Sequence, residues 1–402
     1  MKPILYHIVF VLREFVGSTR AGGISTYVKE TSESLVNYGY KVTVLTASDD
    51  TREEKICVEN GVTIHYLSGG EFCLQGIEAD LFYLKKFRPI YRFLSYRWKL
   101  KKTIQQLDDV SIIEVAEYGA EGLFLQNLGI PLVIRLHLPA LYDKESNGII
   151  GFSHKNIHNY WRGLIELYLV KKAKFRSSPS QFLAKWFERE VGILPNQIKI
   201  IPNVLEVREP ISTTTNTKKT IFFAGALIKG KGIFDLIEAV ALLRQENTNI
   251  CLNLAGYIGK KNLEMVAYYE KKYEWCRFLG LQSREQLCPQ YKAATICCFP
   301  SRADNFPFTC LEALSVGGIV LGSNNCGIAE MITEGKNGFL IQPKDPKRLA
   351  EKLKTLLLLS DEERANISKN AIESIKENYS HEVILRKMIA YHEGCIENQA
   401  NY

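Results

Sequence analysis

The sequence predicts an α/β protein of two Rossmann-like, parallel-sheet domains facing each other across a cleft. Three observations predict it. A chain of 402 residues is long for one core and suits two domains of about 200 residues each. Short, continuous apolar runs alternate with helical patterns from end to end, as strands covered on both faces by helices do. Each half also opens in the same order, with a strand, a glycine-containing loop and a helix.

LYHIVFVL, KVTVLTA, VTIHYL, SIIEVAE and PLVIRLHL are the strands expected before residue 140. The first could pass for a signal core. Tyr6 and His7 interrupt it, no small-residue cleavage site follows, and Arg13-Glu14 come straight after, so it reads as a strand. STYVKETSESLVNYG is the helix after it, and IKIIPNVL is a further strand. EVREPISTTTNTKKT, residues 206–220, is polar, Thr-rich and aperiodic, and is expected to be a linker. It divides an N-terminal domain (1–205) from a second domain (206–380). TIFFAGAL, ICLNLAGY, CRFLGL, TICCFPS and GIVLGSN are strands of the second, and KGIFDLIEAVALLRQE is its first helix. HEVILRKMIAYHEG begins a final segment, 381–402, expected to be a helix crossing back to the first domain.

Composition excludes some classes. A net charge of +7 is mild for this length and does not by itself argue for nucleic acid. The ten cysteines show neither zinc-ligand spacing nor CxxC, and Cys297 and Cys298 are adjacent in an apolar strand where both cannot face one partner. Reduced core thiols in a cytosolic protein are therefore expected. No stretch approaches the roughly 20 apolar residues of a membrane span.

Two segments carry the chemistry. In IFFAGALIKGKGIFDLIEAV, Gly225, Gly230 and Lys231 nearly spell a nucleoside-triphosphatase phosphate loop, but Gly232 stands where a Mg²⁺-binding Ser or Thr belongs. The strand–turn–helix order still offers backbone amides and Lys231 to an anion. In FPSRADNFPFTCLEALSVGGIVLGSNNCGIAE, a strand end leads into a polar loop holding Asp304, and a helix opens near Pro307. The amides of Phe308, Thr309 and Cys310 are expected free at its N-terminus, a second anion site. Glu312 follows roughly 7 Å further along the axis. This spacing suits an extended ligand with a diphosphate in the middle, a sugar toward Asp304 and a ribose toward Glu312.

Here the sequence resembles the retaining GT-B glycosyltransferases of family four, the group 1 glycosyltransferases. Asp304 and Glu312 match the family's E-x7-E signature with Asp in first place, and Gly225 to Gly232 match its G-R-L-x-x-x-K-G. Gly22-Gly23 match its N-terminal G-G loop, and His137 its first-domain histidine. Pro202, Asn203 and Val204 resemble its P-N-G, and Cys326, Gly327 and Glu330 its G-G-x-x-E. The matches run in the family's order over nearly the whole chain. The resemblance implies a GT-B fold and an interdomain site with catalytic His137, Asp304 and Lys231. It implies donor contacts from Gly22, Gly23, Gly225, Lys231, Asp304, Phe306, Phe308, Thr309 and Glu312. The family's Arg beside the first glycine is Ala226 here, and Arg302 is the nearby cation expected to replace it.

The resulting expectation is a hexosyltransferase taking a nucleotide sugar as donor, with no metal or other cofactor. It would act by front-face attack, with His137 a hydrogen-bonding partner of the sugar and the departing diphosphate aiding deprotonation. The acceptor would be a glycan or lipid-linked glycan, met by Glu117 and Tyr118. Other readings are a non-catalytic nucleotide-sugar-binding protein and a nucleotide-sugar epimerase of GT-B fold. KKFRPIYRFLSYRWKLKKT, residues 85–103, interleaves Lys85, Lys86, Arg88, Arg92, Arg97, Lys99, Lys101 and Lys102 with aromatics. Beyond Pro89 it can form a cationic amphipathic helix suited to the inner face of a membrane or to an anionic acceptor, or equally a solvated face whose aromatics pack on the domain. No recognition fold for nucleic acid accompanies it.

Overall fold

A computed structural model describes residues 6–15, 22–48, 54–70, 88–142, 157–205, 219–246, 249–259 and 262–400. The first sheet is built from β1 (His7–Val11), β2 (Lys41–Ala47), β3 (Lys55–Glu59), β4 (Val62–Leu67), β5 (Val110–Ala116), β6 (Leu132–Arg135), β7 (Phe175–Ser178) and β8 (Lys199–Ile200). Its order is β3-β4-β2-β1-β5-β6-β7-β8. All neighbours are parallel except the β3–β4 hairpin. The helices of this half are α1 (Gly23–Asn37), α2 (Arg88–Gln105), α3 (Ile157–Lys172) and α4 (Gln181–Val191).

The second sheet comprises β9 (Lys219–Ala224), β10 (Ile250–Ala255), β11 (Cys276–Gly280), β12 (Ile296–Phe299), β13 (Val320–Ser323) and β14 (Phe339–Ile341). It is wholly parallel, in the order β11-β10-β9-β12-β13-β14. Around it lie α5 (Ile233–Glu246), α6 (Leu263–Lys272), α7 (Arg284–Ala293), α8 (Phe308–Ser315), α9 (Pro346–Leu356) and α10 (Asp361–Tyr379). The chain ends in α11 (His381–Ala400).

The structure departs from the sequence expectations in several places. Most of the expected linker lies outside the described residues, and Lys219 and Thr220 already belong to β9. IKIIPNVL yields only the two-residue β8, because Pro202 brings no N–H to continue the ladder. Strands β3, β7 and β14 were not anticipated. FRSS in β7 is mostly polar yet mostly buried, KICVE in β3 is a largely exposed edge strand, and FLI in β14 is short.

One apolar cluster fills the space between the first sheet and α2, α3 and α4. A second runs from the other face of that sheet through Val204, Leu205, Ile384, Leu385 and Met388 into the second domain. Helix α11 lies against the first domain. His392 Nε2 is 3.0 Å from Glu114 Oε2 of β5, and the Tyr391 hydroxyl donates to the Arg176 carbonyl at 2.8 Å. Leu205 and Ser380 pair as a parallel bridge where the chain leaves the first domain and returns to it. The cysteines among the described residues are free, with Cys297 and Cys298 both buried in β12.

The turn between β9 and α5 explains why glycine follows Lys231. Lys229–Lys231 form a 3-10 turn capped by Gly232 at φ 72°. A Cβ there would lie 2.0 Å from the Pro300 carbonyl oxygen, so neither backbone angle nor space admits Ser or Thr. Gly232→Ala is therefore expected to destabilise by at least about 2 kcal/mol and to lower the calorimetric midpoint by about 5 °C.

Candidate active site

Segments leaving the C-terminal ends of β6, β9 and β12 come together through hydrogen bonds, Asn305 to His137 and Arg302 to Gly230, at the strand ends where ligand crevices of parallel α/β sheets lie. On the second-domain side, the loop after β12 is tied to the turn after β9. The amides of Arg302 and Ala303 donate to the Gly230 carbonyl at 2.9 and 3.3 Å. This places Lys231 Nζ 2.6 Å from Asp304 Oδ2, with Ser301 Oγ donating to the same oxygen at 3.3 Å. Behind them, Gly327 N donates to the Asp304 carbonyl at 3.1 Å. A Cβ at Gly327 would lie 1.3 Å from the Asn305 carbonyl oxygen, so only glycine lets that loop pass. Gly225, at φ 149°, opens the turn that carries Lys231.

Pro307 is the N-cap of α8. Among the described residues no acceptor meets the amides of Phe308 and Thr309. The expectation for Cys310 needs correcting, because its N–H bonds the Pro307 carbonyl at 3.2 Å. Glu312 is buried rather than lining an open surface. Its Oε1 lies 3.2 Å from Arg284 Nε, and its Oε2 accepts from the Tyr291 hydroxyl at 3.3 Å.

Other expected donor residues are placed differently. Arg302 forms a two-pronged pair with Asp235 of α5, at 2.6 Å from Nη2 and 3.0 Å from Nε. Its charge therefore fixes the loop to α5 and does not replace the missing Arg at Ala226. Phe306 is buried and packs on Tyr379 with ring centroids 5.6 Å apart. Its carbonyl, not its ring, reaches the cleft region, accepting from Asn203 Nδ2 at 3.0 Å. The Phe308 side chain joins the core.

On the first-domain side, Gly22 caps α1 and Gly23 begins it, both exposed. A Cβ at Gly23 would meet nothing within 4 Å, so the fold itself does not require glycine there. One turn on, the ring of Tyr27 meets that of His137 edge-on at 5.6 Å. Burial and the Arg135 charge hold the His137 imidazole well below its ordinary range, and it is neutral at pH 7. Its backbone is gripped from both sides. The amide donates to Glu117 Oε2 at 2.8 Å, and the carbonyl accepts from Asn305 Nδ2 across the domain boundary.

Glu117 does not reach an acceptor, since it is fully buried. Its neighbour Glu166, also fully buried, accepts from the amides of Gly119 and Ala140 at 2.8 and 3.0 Å. These carboxyls brace the loops beneath the site. Tyr118 is half-buried, with the Arg13 guanidinium 5.6 Å from its ring centre.

Sequence reasoning missed the residues that join the two halves. Asn305 accepts from Ser180 Oγ at 2.5 Å while holding the His137 carbonyl. Asn203, noted only as part of the P-N-G resemblance, accepts from buried Arg135 at 3.1 Å and donates to the Phe306 carbonyl. Glu330, noted only as part of a motif, accepts from the amides of Gln181 and Phe182 at 2.8 and 2.6 Å, capping α4 from the other domain. The only signal for Asn305 was its place in a polar loop beside Asp304. Among the described residues no three His, Cys, Asp or Glu side chains are grouped to hold a metal, and no helix is long and apolar enough to cross a membrane.

Known proteins match both halves. The family model described as glycosyl transferases group 1 covers residues 207–374, and that described as glycosyltransferase family 4 covers residues 21–209. An uncharacterized glycosyltransferase of Methanocaldococcus jannaschii, MJ1607, is 25% identical over 94% of this chain and 95% of its own. Sucrose-phosphate synthase from Thermosynechococcus elongatus superposes with a TM-score of 0.80 at 18% identity, over 98% of this chain and all (100%) of its own. Anabaena HepE, solved with UDP and glucose, gives a TM-score of 0.71 at 17% identity, over 97% of this chain and 100% of its own.

Glu117 provides a pH test of the braced loop. Burial, reinforced by the Glu166 charge and opposed by the His137 amide, raises its carboxyl from 4.5 to about 8. Below pH 4.5 folded and unfolded chains both keep the proton. Between there and about pH 8 only the folded chain does, so this group lowers stability progressively as pH rises. Glu117→Gln, which keeps the acceptor for His137 N–H, is expected to match the parent near pH 4. At pH 8 it should exceed it by on the order of 1–3 kcal/mol in denaturant unfolding.

Proposed function

The chain belongs to the group 1 glycosyltransferases and has the GT-B fold, and on that premise we propose that it moves a hexose from a nucleotide-diphosphate donor to a glycan or lipid-linked acceptor with retention of configuration. The observation carrying this reading is the meeting of Lys231 with Asp304 at 2.6 Å, four residues before the open amides of Phe308 and Thr309. The ammonium and the helix end supply positive potential for a diphosphate from protein groups, so the transfer is proposed to need no metal. On donor binding, Lys231 turns part of its hydrogen bonding to a phosphate oxygen. Asp304 is then left to accept from the sugar's hydroxyls, and Glu312 accepts from the ribose. Gly22 and Gly23 bring amides from α1, where the lack of a side chain leaves room for the ligand.

His137, held neutral, serves the sugar as a hydrogen-bonding partner. The acceptor attacks from the face the diphosphate leaves, and the departing phosphate oxygen takes its proton. Tyr118 lies on the acceptor side. The UDP and glucose bound in HepE are in keeping with a nucleotide-sugar donor. Ala226, in place of a second diphosphate cation, favours a reading in which the donor is bound but not turned over.

Thermal unfolding with UDP, GDP, ADP and CMP, each with and without EDTA, tests the donor site. A nucleotide at about 100 times its dissociation constant adds roughly 2.7 kcal/mol, a shift of a few degrees. One nucleotide should stabilise the protein regardless of EDTA, and Lys231→Ala or Glu312→Ala should abolish the shift. A shift that vanishes with EDTA would sink the metal-free site. Donor consumption that never accompanies binding, in any acceptor panel, would leave the non-catalytic reading.

A membrane-facing role for α2 is proposed in narrower form than the composition suggested. Lys85 and Lys86 lie outside the described residues. Arg97 is buried, bonding the Phe93 and Ala120 carbonyls at 2.6 and 3.0 Å, and Lys99 is paired with Glu54. What remains outward is a stripe of Tyr91, Leu94 and Trp98, with Lys101 5.3 Å from the Trp98 ring and Lys102 beyond. Flotation with phosphatidylglycerol vesicles should carry the protein, and Trp98→Ser with Lys101→Ser should release it. Equal flotation of parent and variant would remove α2 from the interface.

A further inference from the structure

Arg284 is the first residue of α7 and lies between carboxylates of different domains. Its Nε is 3.2 Å from Glu312 Oε1, and its Nη1 is 2.9 Å from Glu30 Oε1 of α1. All three side chains are largely screened from water, at 16, 8 and 18% exposure for Arg284, Glu312 and Glu30, so the contacts are more than the fleeting pairs of an open surface. One guanidinium can hold both acids because its planar fork presents donors on separate edges, which a lysine cannot match. Tyr291, two turns along α7 from Arg284, holds the other Glu312 oxygen. One face of α7 therefore fixes the direction of the Glu312 carboxylate.

The partner on α1 has its own place in the geometry. Glu30 is seven residues beyond Gly23, and seven residues make two helical turns, so the two share a face about 10 Å apart. Fixing Glu30 to the second domain therefore fixes where the glycine end of α1 stands over the donor crevice. Glu312 belongs to the second domain and Gly23 to the first, and Arg284 touches the acid of one and the helix of the other.

We propose that Arg284 is a positioning residue with two tasks: it orients Glu312 to receive the ribose hydroxyls of the donor, and through Glu30 it ties the occupied ribose site to the seating of α1. The inference rests on the donor reading above and adds to it a residue outside the matched motifs. The Arg284 charge faces one Glu312 oxygen and the Tyr291 hydroxyl bonds the other, which fixes the carboxylate while leaving lone pairs for a pair of hydroxyls. Loss of Arg284 removes its hold on the Glu312 carboxylate and its tie to Glu30. Loss of the Glu30 charge spares the first task and removes the second.

Removal of a ribose hydroxyl separates these tasks from general stability. Dissociation constants are measured by calorimetry for the nucleoside diphosphate that stabilises the full-length protein and for its 2′-deoxy and 3′-deoxy forms. Solution scattering is recorded with the ribonucleotide at saturation. The parent should prefer the ribonucleotide by about tenfold over at least one deoxy form, the effect of one hydrogen bond to a charged acceptor. Arg284→Gln should bring that ratio within about twofold. Glu30→Gln should keep the ratio, while both variants show a larger radius of gyration than the parent. An unchanged ratio in Arg284→Gln overturns the first task, and an unchanged radius in Glu30→Gln overturns the second. If the parent binds the diphosphate through Lys231 but ignores the deoxy change, this inference fails and the donor site stands. If no nucleoside diphosphate binds the parent, the donor reading fails and takes the inference with it.

Discussion

The carboxamide of Asn305 makes one site out of two domains. It follows Asp304 directly in sequence, yet its two polar atoms belong to the first domain, one receiving the Ser180 hydroxyl and the other holding the His137 carbonyl. The acid and the histidine are thus referred to the same rigid group. Their separation is set by about two residues of backbone rather than by the approach of two large bodies. Asn203 and Glu330 repeat the arrangement on either side, each satisfying backbone groups of the opposite domain. Side chains that meet main-chain partners in this way are demanding in geometry, because a buried donor or acceptor left unmet is expensive.

Charge is managed differently on the two sides. The second domain pairs its ions directly, Lys231 with Asp304 and Arg302 with Asp235. The first domain keeps a crowd of buried groups beneath its loops and neutralises some of them. Burial first, helped by neighbouring charge, raises Glu117, and burial raises Glu166 against the amides and cations around it. Arg13 pairs with Glu121, and Arg97 spends its donors on backbone carbonyls. A neutral platform under His137 is consistent with a neutral imidazole, because an ionised Glu117 in contact with that loop would favour the imidazolium.

Legibility from sequence followed the physics of each feature. Strands such as KVTVLTA and VTIHYL were readable to the residue because they are rich in β-branched residues and bounded by Gly, Ser or Asp. FRSS was not, because it lacks the apolar run that marks a buried strand, and its polar side chains are met by backbone a few residues away: Arg176 bonds the carbonyls of Val170 and Lys171 at the end of α3, and the Ser178 hydroxyl bonds the Ser180 carbonyl. Lys231, Asp304 and the opening of α8 were visible because local spacing fixes them. The destination of Arg302 was not, since 67 residues separate it from Asp235. Glu117 looked like a cleft residue from its place at a strand end, but the side chain turned inward beneath the loop it supports. Partners across a domain boundary are the hardest to read, since neither half of the pair leaves a periodic trace.

The chain passes between the domains twice, once after Leu205 and again at Ser380, and those two residues are bridged to each other. A body joined by one strand of chain can swing and twist in any direction. Two crossings pinned side by side behave as a door hinge: swinging about their common line is cheap, while twisting or sliding would tear the bridge. A swing about that line would part first the contacts far from it, Arg284 to Glu30 among them.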